Sequence, residues 1–344
     1  MLENSAPSGR ANRMMQPAGP RETRPETEYH LARAGKPNLD VSVLVLSHER
    51  PQFLRQAVAS VLGQSKLPST ITILDNGSGP DVRQAVADFL AQGVRWEGSD
   101  VTRSGLWNIQ RALDRGNSEY LYVMHDDDRL CPSFLETQVK FMEENGRAVA
   151  VACGAHKIDS AGKRIGSFGR GSNDEIRWVN SGAELALLYS RADGPPYPSV
   201  VYRTSCARRV RIRPEFGKVT DVVFLCELAD VGPIAYRSTE LLEYRIHSGQ
   251  DSAIISDQVL CKLLDFLILE SSSNPMMAKM VRRNFQTLQT GRYMSNWIIN
   301  FRKDRSFNSV MDAVRMPIKR YFSFKAAIRW LIAAYIRHRR SSLT

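Results

Sequence analysis

The stretch from Tyr120 to Asp128, which reads YLYVMHDDD, constrains the fold more than any other part of the chain. Apolar and aromatic residues with strand character end in His125 and three consecutive carboxylates, and Pro132 follows where a helix can start. Three adjacent like charges repel one another unless a cation joins them, and the end of a buried strand holds little water to screen them. We therefore interpret this acidic cluster as a metal site at a strand's carboxyl end and not as a solvated turn.

Two strand–turn–helix units precede the acidic cluster. The aliphatic run at 41–46 is typical of a strand buried on both faces, and an amphipathic helix follows the polar turn at 47–50. A second strand at 70–74 runs into the polar turn at 75–78, and the apolar spacing after it predicts one helix over about 82–90. Each unit is the first half of a strand–helix–strand motif.

Further helices are predicted over about 104–115 and 132–146, with another strand at 148–152. Strands and helices that alternate in this way predict an α/β fold, with a mostly parallel sheet and helices on both of its faces. Ligands of such sheets lie over the carboxyl ends of the strands, where the two polar turns and the acidic cluster are expected to meet.

Length and composition predict three parts: a disordered tail at 1–38, a main domain at 39–255 and a basic helical extension at 256–344. The 344 residues are 43% hydrophobic, which is enough for a substantial core. The tail is rich in Pro, Ser, Gly and charged residues, without the apolar core of a signal peptide. Five scattered cysteines without a CxxC pair indicate reduced thiols and a cytoplasmic protein.

Positive charge is concentrated in the predicted extension. Residues 276–344 hold fifteen Lys and Arg against two Asp, a net charge of +13, whereas the whole chain carries +11. Because 315–344 also mixes aromatic and aliphatic residues with these cations, we predict a peripheral contact with anionic membrane at its inner face. Ordinary packing of basic helices on the main domain is the alternative. No nucleic-acid partner is expected, since the main domain supplies no basic groove.

Three segments carry a family resemblance: VLVLSHERPQFLRQAVASVLGQ at 43–64, ILDNGS at 73–78 and YLYVMHDDDRLCP at 120–132. In this order and at these intervals, they resemble the nucleotide-sugar-binding half of family 2 glycosyltransferases with the GT-A fold. LEYRIHSG at 242–249 extends the resemblance to about residue 250. The resemblance implies a Rossmann-like GT-A domain, with a nucleotide-sugar-binding half at 39–130 followed by an acceptor-side half at 131–255. It also implies inverting transfer from a UDP-, GDP- or dTDP-sugar.

The resemblance implies that Asp126, Asp127 and Asp128 hold the metal. Mg²⁺ and Mn²⁺ prefer oxygen ligands and share them with the substrate's phosphates, whereas no cluster of Cys or His favours zinc. The family often has Asp at the position of His125, so either Asp126 and Asp128 or His125 and Asp127 can form the outer pair of the acidic motif. Thr220 likewise replaces the usual Glu of a Glu-Asp pair.

The resemblance implies that Asp221 is the general base for the acceptor hydroxyl; capping of a helix start is the alternative role. It implies that Asp75 accepts a hydrogen bond from the nucleobase, which is compatible with an Asx turn. Arg245 and His247 are expected near the diphosphate. The candidate donor-binding residues are Ser47, Glu49, Arg50, Asp75, Asp126, Arg245 and His247.

The candidate metal ligands, the candidate base and the candidate donor-binding residues together favour a non-processive, metal-assisted glycosyltransferase acting on a glycan or lipid-linked acceptor. The QxxRW-type sequence that processive synthases of this family generally carry does not occur after the acidic cluster, and its one match, QGVRW at 92–96, precedes the cluster. A sugar-nucleotide nucleotidyltransferase would need a glycine-rich phosphate loop after the first strand, which is also missing. A catalytically silent scaffold that binds an anionic membrane or polymer is the remaining alternative, because of the departures at His125 and Thr220.

Overall fold

Strands and helices alternate through the first half of the chain, as predicted. The computed structural model describes residues 38–168, 174–250, 255–303, 323 and 326–330. The predicted tail lies outside these residues except for Asn38, which begins the first strand. The elements of this half are β1 (Asn38–Ser47), α1 (Pro51–Leu62), β2 (Leu67–Asp75), α2 (Pro80–Gln84), α3 (Ala87–Leu90), β3 (Arg95–Glu97), α4 (Gly105–Arg115) and β4 (Tyr120–His125).

The second half adds shorter strands and the longer helices. Two 3₁₀ segments, Tyr197–Ser199 and Pro214–Val219, connect parts of it. Its elements are β5 (Arg129–Leu130), α5 (Phe134–Glu144), β6 (Ala150–Ile158), β7 (Arg164–Phe168), β8 (Ile176–Val179), α6 (Gly182–Tyr189), β9 (Val201–Arg203), α7 (Thr204–Ala207), α8 (Thr220–Val231), β10 (Ile234–Arg245), α9 (Asp257–Glu270) and α10 (Pro275–Lys303).

The described strands form one sheet in the order β3-β2-β1-β4-β9-β6-β10-β5, with β7 beside β6 and β8 beside β10. The three longest ladders, β1–β2, β1–β4 and β6–β10, are parallel. The short strand β9 runs antiparallel to both β4 and β6 and so joins the two parallel parts of the sheet. The predicted class, a mostly parallel α/β sheet, is confirmed.

Helices cover both faces of the sheet, because successive side chains of a strand point to opposite sides. Val43 and Val45 of β1 pack in the apolar cluster that contains α1 and α5. Leu44, between them, packs in the other cluster, with α4, α6 and α8. The near-continuous aliphatic run of β1 is therefore explained by burial on both sides, as its sequence predicted.

The helix predicted over 82–90 is divided into α2 and α3. Arg55 of α1 donates from Nη1 to the carbonyl of Ala85 at 2.7 Å. A continuous helix would pair that carbonyl with the amide of Phe89, which instead donates to the carbonyl of Val86 at 3.0 Å. Val82 and Val86 are still fully buried, so the apolar stripe was predicted correctly although the helix is interrupted.

The helices α9 and α10 begin the segment predicted as a separate basic extension. Leu264 and Leu267 of α9, with Val281 and Phe285 of α10, are buried in the apolar cluster that contains α6 and α8. This part of the extension thus shares the core of the main domain, and the boundary at 255 stays a prediction. Within the described part of the chain, no helix has both the length and the apolar character needed to cross a bilayer.

Candidate active site

The polar turns of three parallel strands meet at one edge of the sheet. Ser47 of β1 lies opposite Asp75 of β2, and Leu46 lies opposite His125 of β4. Parallel strands in this register end side by side, so the turns that follow them share one edge. The structure therefore brings together the three segments on which the family resemblance was based.

The first two turns are joined by hydrogen bonds. The amide of Asn76 donates to the carbonyl of Ser47 at 2.9 Å, and the amide of Glu49 donates to the hydroxyl of Ser78 at 3.0 Å. The carboxylate of Glu49 accepts from the amide of Gly79 at 3.1 Å. Glu49 has a φ of 54°, a left-handed conformation that is uncommon for a residue with a side chain. These hydrogen bonds hold together the turn after β1 and the turn after β2, which are the two candidate donor-side turns.

Asp75 is almost fully buried and serves as the acceptor of an Asx turn. Its Oδ2 accepts from the amide of Ser78 at 3.0 Å, and its Oδ1 accepts from the hydroxyl of Ser78. The hydroxyl of Ser47 lies 3.4 Å from the same Oδ1. The Asx turn of Asp75 with Asn76 and Gly77, which the sequence analysis considered beside a nucleobase contact, is thus formed. The nucleobase contact itself stays a prediction.

Asp126 has both carboxylate oxygens occupied by donors of the turn after β1. The backbone amide of His48 donates to Oδ2 at 3.0 Å, and Arg50 donates from Nη2 to Oδ1 at 2.8 Å. The side chain is 2% exposed. Burial raises the pKa of Asp126 to about 7, although the charge of Arg50 opposes this shift.

Asp127 is paired with two cationic or potentially cationic groups. Its Oδ2 lies 2.7 Å from Nη1 of Arg50 and 3.1 Å from Nε2 of His247. Burial disfavours the charged form of Asp127, but His125, Arg50 and His247 outweigh it and hold its pKa below the ordinary value. Asp127 is therefore the carboxylate of the cluster most strongly held in its ionised form.

Asp128 keeps one oxygen without a hydrogen-bond partner. Its Oδ1 accepts from the backbone amide of Arg245 at 2.9 Å, whereas its Oδ2 is buried and has no partner among the described residues. Burial and the neighbouring charge of Asp127 raise the pKa of Asp128 well above its ordinary value. An unpaired buried carboxylate oxygen is costly unless a cation or a proton compensates it.

His125, Asp127 and Asp128 form a group that fits a divalent cation. One potential ligand atom from each lies within 4.8 Å of the others. The unpartnered Oδ2 of Asp128 supports the same assignment, because a metal would satisfy it. Asp126, which was predicted as a ligand with Asp127 and Asp128, does not belong to this group.

Arg245 is fully buried behind the acidic turn. Its guanidinium donates to the carbonyl of Asp127 at 2.8 Å, the carbonyls of Asp159 and Ser160 at 3.1 and 3.0 Å, and the side chain of Gln56 at 2.8 Å. These contacts favour a bracing role over the predicted contact with the donor diphosphate. The role of Gln56 could not be found from sequence, where it reads as an ordinary helix residue.

His247 contacts the carboxylate of Asp127 through Nε2. Besides its contact with Asp127, its ring packs at 5.1 Å from the ring of Phe53 in α1, and its Nε2 lies 3.4 Å from Nη1 of Arg50. The structure thus brings Arg50 and His247, two predicted donor-binding residues from distant parts of the chain, to the same carboxylate.

Asp221 lies in the first turn of α8 and is partly exposed. Its Oδ1 accepts from the amide of Val222 at 2.9 Å. Burial raises the pKa of Asp221 to about 6. Burial, and then the charge of Asp221, raise the pKa values of Tyr189 and Tyr197, which places the carboxylate near both phenol groups. Asp221 therefore has the raised basicity that the predicted role needs.

Tyr197 lies near both Asp221 and His125 and was given no role in the sequence analysis. Its ring centroid lies 6.0 Å from that of His125, and the residue is buried. It belongs to the loop at 194–198, where the 3₁₀ segment Tyr197–Ser199 begins. Thr220, in the position where the family usually has Glu, forms hydrogen bonds in both directions with the backbone of Arg213 at 3.0 Å.

Comparisons with known proteins agree with this geometry. Residues 42–188 match the family model "Glycosyl transferase family 2". An uncharacterized glycosyltransferase of Haemophilus influenzae is 20% identical over 63% of this chain and 69% of its own length. One of Rickettsia bellii is 26% identical over 38% of this chain, which spans only 19% of that protein.

Among solved structures, S. aureus TarS 1–349 in complex with UDP-GlcNAc superposes with a TM-score of 0.56. The match has 13% sequence identity and covers 80% of this chain and 78% of that one, so it supports the GT-A fold. The family match, the glycosyltransferase relatives and the shared fold agree with one another. Residues 42–188 therefore form a domain that matches the family 2 glycosyltransferases, and over this part the chain is similar to known glycosyltransferases in sequence and in fold.

Proposed function

We propose that the enzyme is a non-processive, inverting glycosyltransferase that moves a sugar from a nucleoside diphosphate sugar to a hydroxyl of a glycan or lipid-linked acceptor. The observation that carries this proposal is the buried Oδ2 of Asp128, which has no hydrogen-bond partner in the described part of the chain and lies at the sheet edge where the two donor-side turns meet. Asp221 supplies a second carboxylate of raised basicity near that edge, with Tyr197 between the two. A cation site for the donor and a base for the acceptor are the two parts that such a transfer needs.

Asp127 and Asp128, with His125 beside them, would hold Mg²⁺ or Mn²⁺. A divalent cation bound there supplies positive charge for the diphosphate that leaves the sugar. Arg50 and His247 add positive or hydrogen-bonding groups at the same place, since both contact Asp127. Arg245 keeps the backbone of the acidic turn in position from the buried side.

Asp221 accepts the proton of the acceptor hydroxyl while that oxygen attacks the anomeric carbon. Its raised pKa of about 6 leaves it mostly ionised at neutral pH and makes it a better base than an ordinary aspartate. A single displacement of this kind inverts the anomeric centre. Tyr197 borders the space between Asp221 and His125, so we assign it to the wall of the acceptor site.

UDP-sugars are the first donors to test, because TarS has been crystallised with UDP and with UDP-GlcNAc. GDP- and dTDP-sugars remain in the proposal. The family match gives no support to a silent scaffold or a nucleotidyltransferase. The proposed contact of 315–344 with anionic membrane stays a prediction, because all but residues 323 and 326–330 of this segment lie outside the described residues.

A panel of UDP-, GDP- and dTDP-sugars, each with and without Mn²⁺, tests the proposal by thermal shift and by donor hydrolysis. One nucleotide class should raise the melting temperature only when metal is present. Asp128→Asn should remove most of that shift, whereas Asp88→Asn, at an exposed ion pair with Arg55, should keep it. Equal shifts with and without metal would contradict metal assistance, and the absence of any shift would contradict the donor site.

A further inference from the structure

We propose that Asp126 is a positioning residue, which holds Arg50 toward the diphosphate of the donor, and that it is not a metal ligand. The inference rests on the proposed function, because it assigns different roles to three adjacent carboxylates of the same site. Its basis is the direction and pairing of these side chains. The sequence DDD alone does not distinguish them.

The two oxygens of Asp126 are directed at the turn after β1. One accepts from the amide of His48 at 3.0 Å and the other from Nη2 of Arg50 at 2.8 Å. The side chain is 2% exposed, so the protein encloses both oxygens together with their donors. Both oxygens are thus paired with donors of one turn, which suits a carboxylate that anchors this turn.

Asp127 and Asp128 differ from Asp126 in the partners of their oxygens. The hydrogen bond to Asp128 Oδ1 comes from the backbone of Arg245, and Oδ2 is left without a partner among the described residues. Asp127 contacts both Arg50 and His247 through Oδ2. The ligand atoms of Asp127, Asp128 and His125 lie within 4.8 Å of one another, and Asp126 does not belong to this group.

Arg50 is held at two points by adjacent carboxylates. Nη2 contacts Asp126 and Nη1 contacts Asp127 at 2.7 Å, which fixes the orientation of a planar guanidinium more than one contact would. Its side chain remains 31% exposed, at the sheet edge where the donor is proposed to bind. Because Arg50 already contacts the candidate ligand Asp127, a diphosphate at the metal group would meet its positive charge.

The arrangement predicts a specific coupling between Asp126 and Arg50. Arg50→Met removes the cation and leaves the buried charge of Asp126 unpaired, so the variant should melt at a lower temperature in EDTA. Asp126→Asn in the same chain removes the unpaired charge and should recover most of that loss. The control is Arg211→Met, which breaks an exposed pair with Asp114 and should change the melting temperature little.

The test measures Mn²⁺ affinity without nucleotide, by electron paramagnetic resonance, and UDP affinity with Mn²⁺, by calorimetry. Asp126→Asn should keep Mn²⁺ affinity within about threefold of wild type, whereas Asp128→Asn should lower it at least tenfold, since losing a ligand or its partner typically costs about 10–100-fold. Asp126→Asn and Arg50→Met should each weaken UDP binding about tenfold. The double variant should be no weaker than Arg50→Met alone, because the two residues act as one unit.

A tenfold or greater loss of Mn²⁺ affinity in Asp126→Asn would overturn the inference and make Asp126 a ligand. Unchanged UDP affinity in Asp126→Asn, or additive losses in the double variant, would overturn the positioning role while leaving the proposed function intact. If wild type bound neither Mn²⁺ nor UDP, the proposed donor site would fail and this inference with it. The melting temperatures in EDTA show whether each variant is folded.

Discussion

Replacing Asp221 by Asn separates the proposed base from a simple helix-start residue, because the two roles predict opposite changes in stability. Burial raises the pKa of Asp221 from 3.8 to about 6 in the folded protein. The folded state therefore binds more protons than the unfolded state between these values, and the free energy of unfolding falls as pH rises through this range. The ionised carboxylate is thus unfavourable for folding at neutral pH.

The size of this effect follows from the shift. A difference of about two pKa units corresponds to roughly 3 kcal/mol, which we reduce to about 1–3 kcal/mol because the side chain is partly exposed. Asparagine keeps the acceptor for the amide of Val222 but cannot ionise. Asp221→Asn should therefore be more stable than wild type by this amount at pH 7.5. At pH 4, where wild type is protonated as well, the two should be nearly equal.

Urea unfolding at the two pH values measures the difference, and subtracting wild type from the variant isolates Asp221 from other titrating groups. Tyr189, Tyr197 and Cys226, which face this carboxylate, have raised pKa values and stay neutral over the range. If Asp221 only favoured the helix start, the variant would instead lose about 0.5–1 kcal/mol at pH 7.5. That result would refute our assignment.

The same variant should bind donor normally and lose transfer. In wild type, kcat/KM should fall as pH drops through about 6, to roughly a tenth of its plateau at pH 5, because only the ionised carboxylate accepts a proton. Rapid-quench or coupled assays over pH 5–8.5 with the donor found in the panel would show this limb. A flat profile below pH 6, or normal turnover in Asp221→Asn, would exclude Asp221 as the base.

Three further predictions concern other parts of the chain. Arg245→Met should destabilise the protein by about 3–5 kcal/mol in urea unfolding, since it removes a buried cation and takes one hydrogen-bond donor from each of three carbonyls. A loss under 1 kcal/mol would contradict its bracing role. Gly77→Ala should cost about 1–3 kcal/mol and weaken UDP binding, because Gly77 has a φ of 74° and a Cβ there would lie 2.7 Å from the amide of Thr102. Unchanged stability would show that the turn can rearrange. Deleting 315–344 should reduce sedimentation with anionic vesicles, and an unchanged pellet would favour ordinary packing of this segment.

The fold was predictable where the apolar pattern is local. The aliphatic run of β1 and the strand before the acids have only one arrangement that buries them, so their place in a parallel sheet follows from their sequence. The division of the 82–90 helix was not predictable, because it depends on Arg55 reaching the carbonyl of Ala85 from another helix. The strand β9 was not predicted, because its three residues are too few to show a strand pattern in the sequence.

The candidate site was predictable as a cluster and not as a set of individual roles. Asp126, Asp127 and Asp128 are identical in sequence, and what distinguishes them is supplied from far away in the chain. The donor for Asp126 comes from the turn after β1, and the donor for Asp128 comes from the backbone of Arg245, 117 residues later. Burial of the Arg245 guanidinium could not be predicted from the sequence either, because an arginine at a strand end is usually solvated.

The brace formed by Arg245 also sets the order in which the site can be assembled during synthesis. Its guanidinium joins Gln56, the acidic turn and the backbone at 159–160, so these segments stay without their common partner until β10 has been made. At about 5–20 residues per second, a ribosome needs roughly 6–24 s to extend the chain from Asp128 to Arg245. During that interval Asp128 lacks the amide of Arg245 and Asp127 lacks His247, so a chaperone or an early metal ion would meet an incomplete acidic turn.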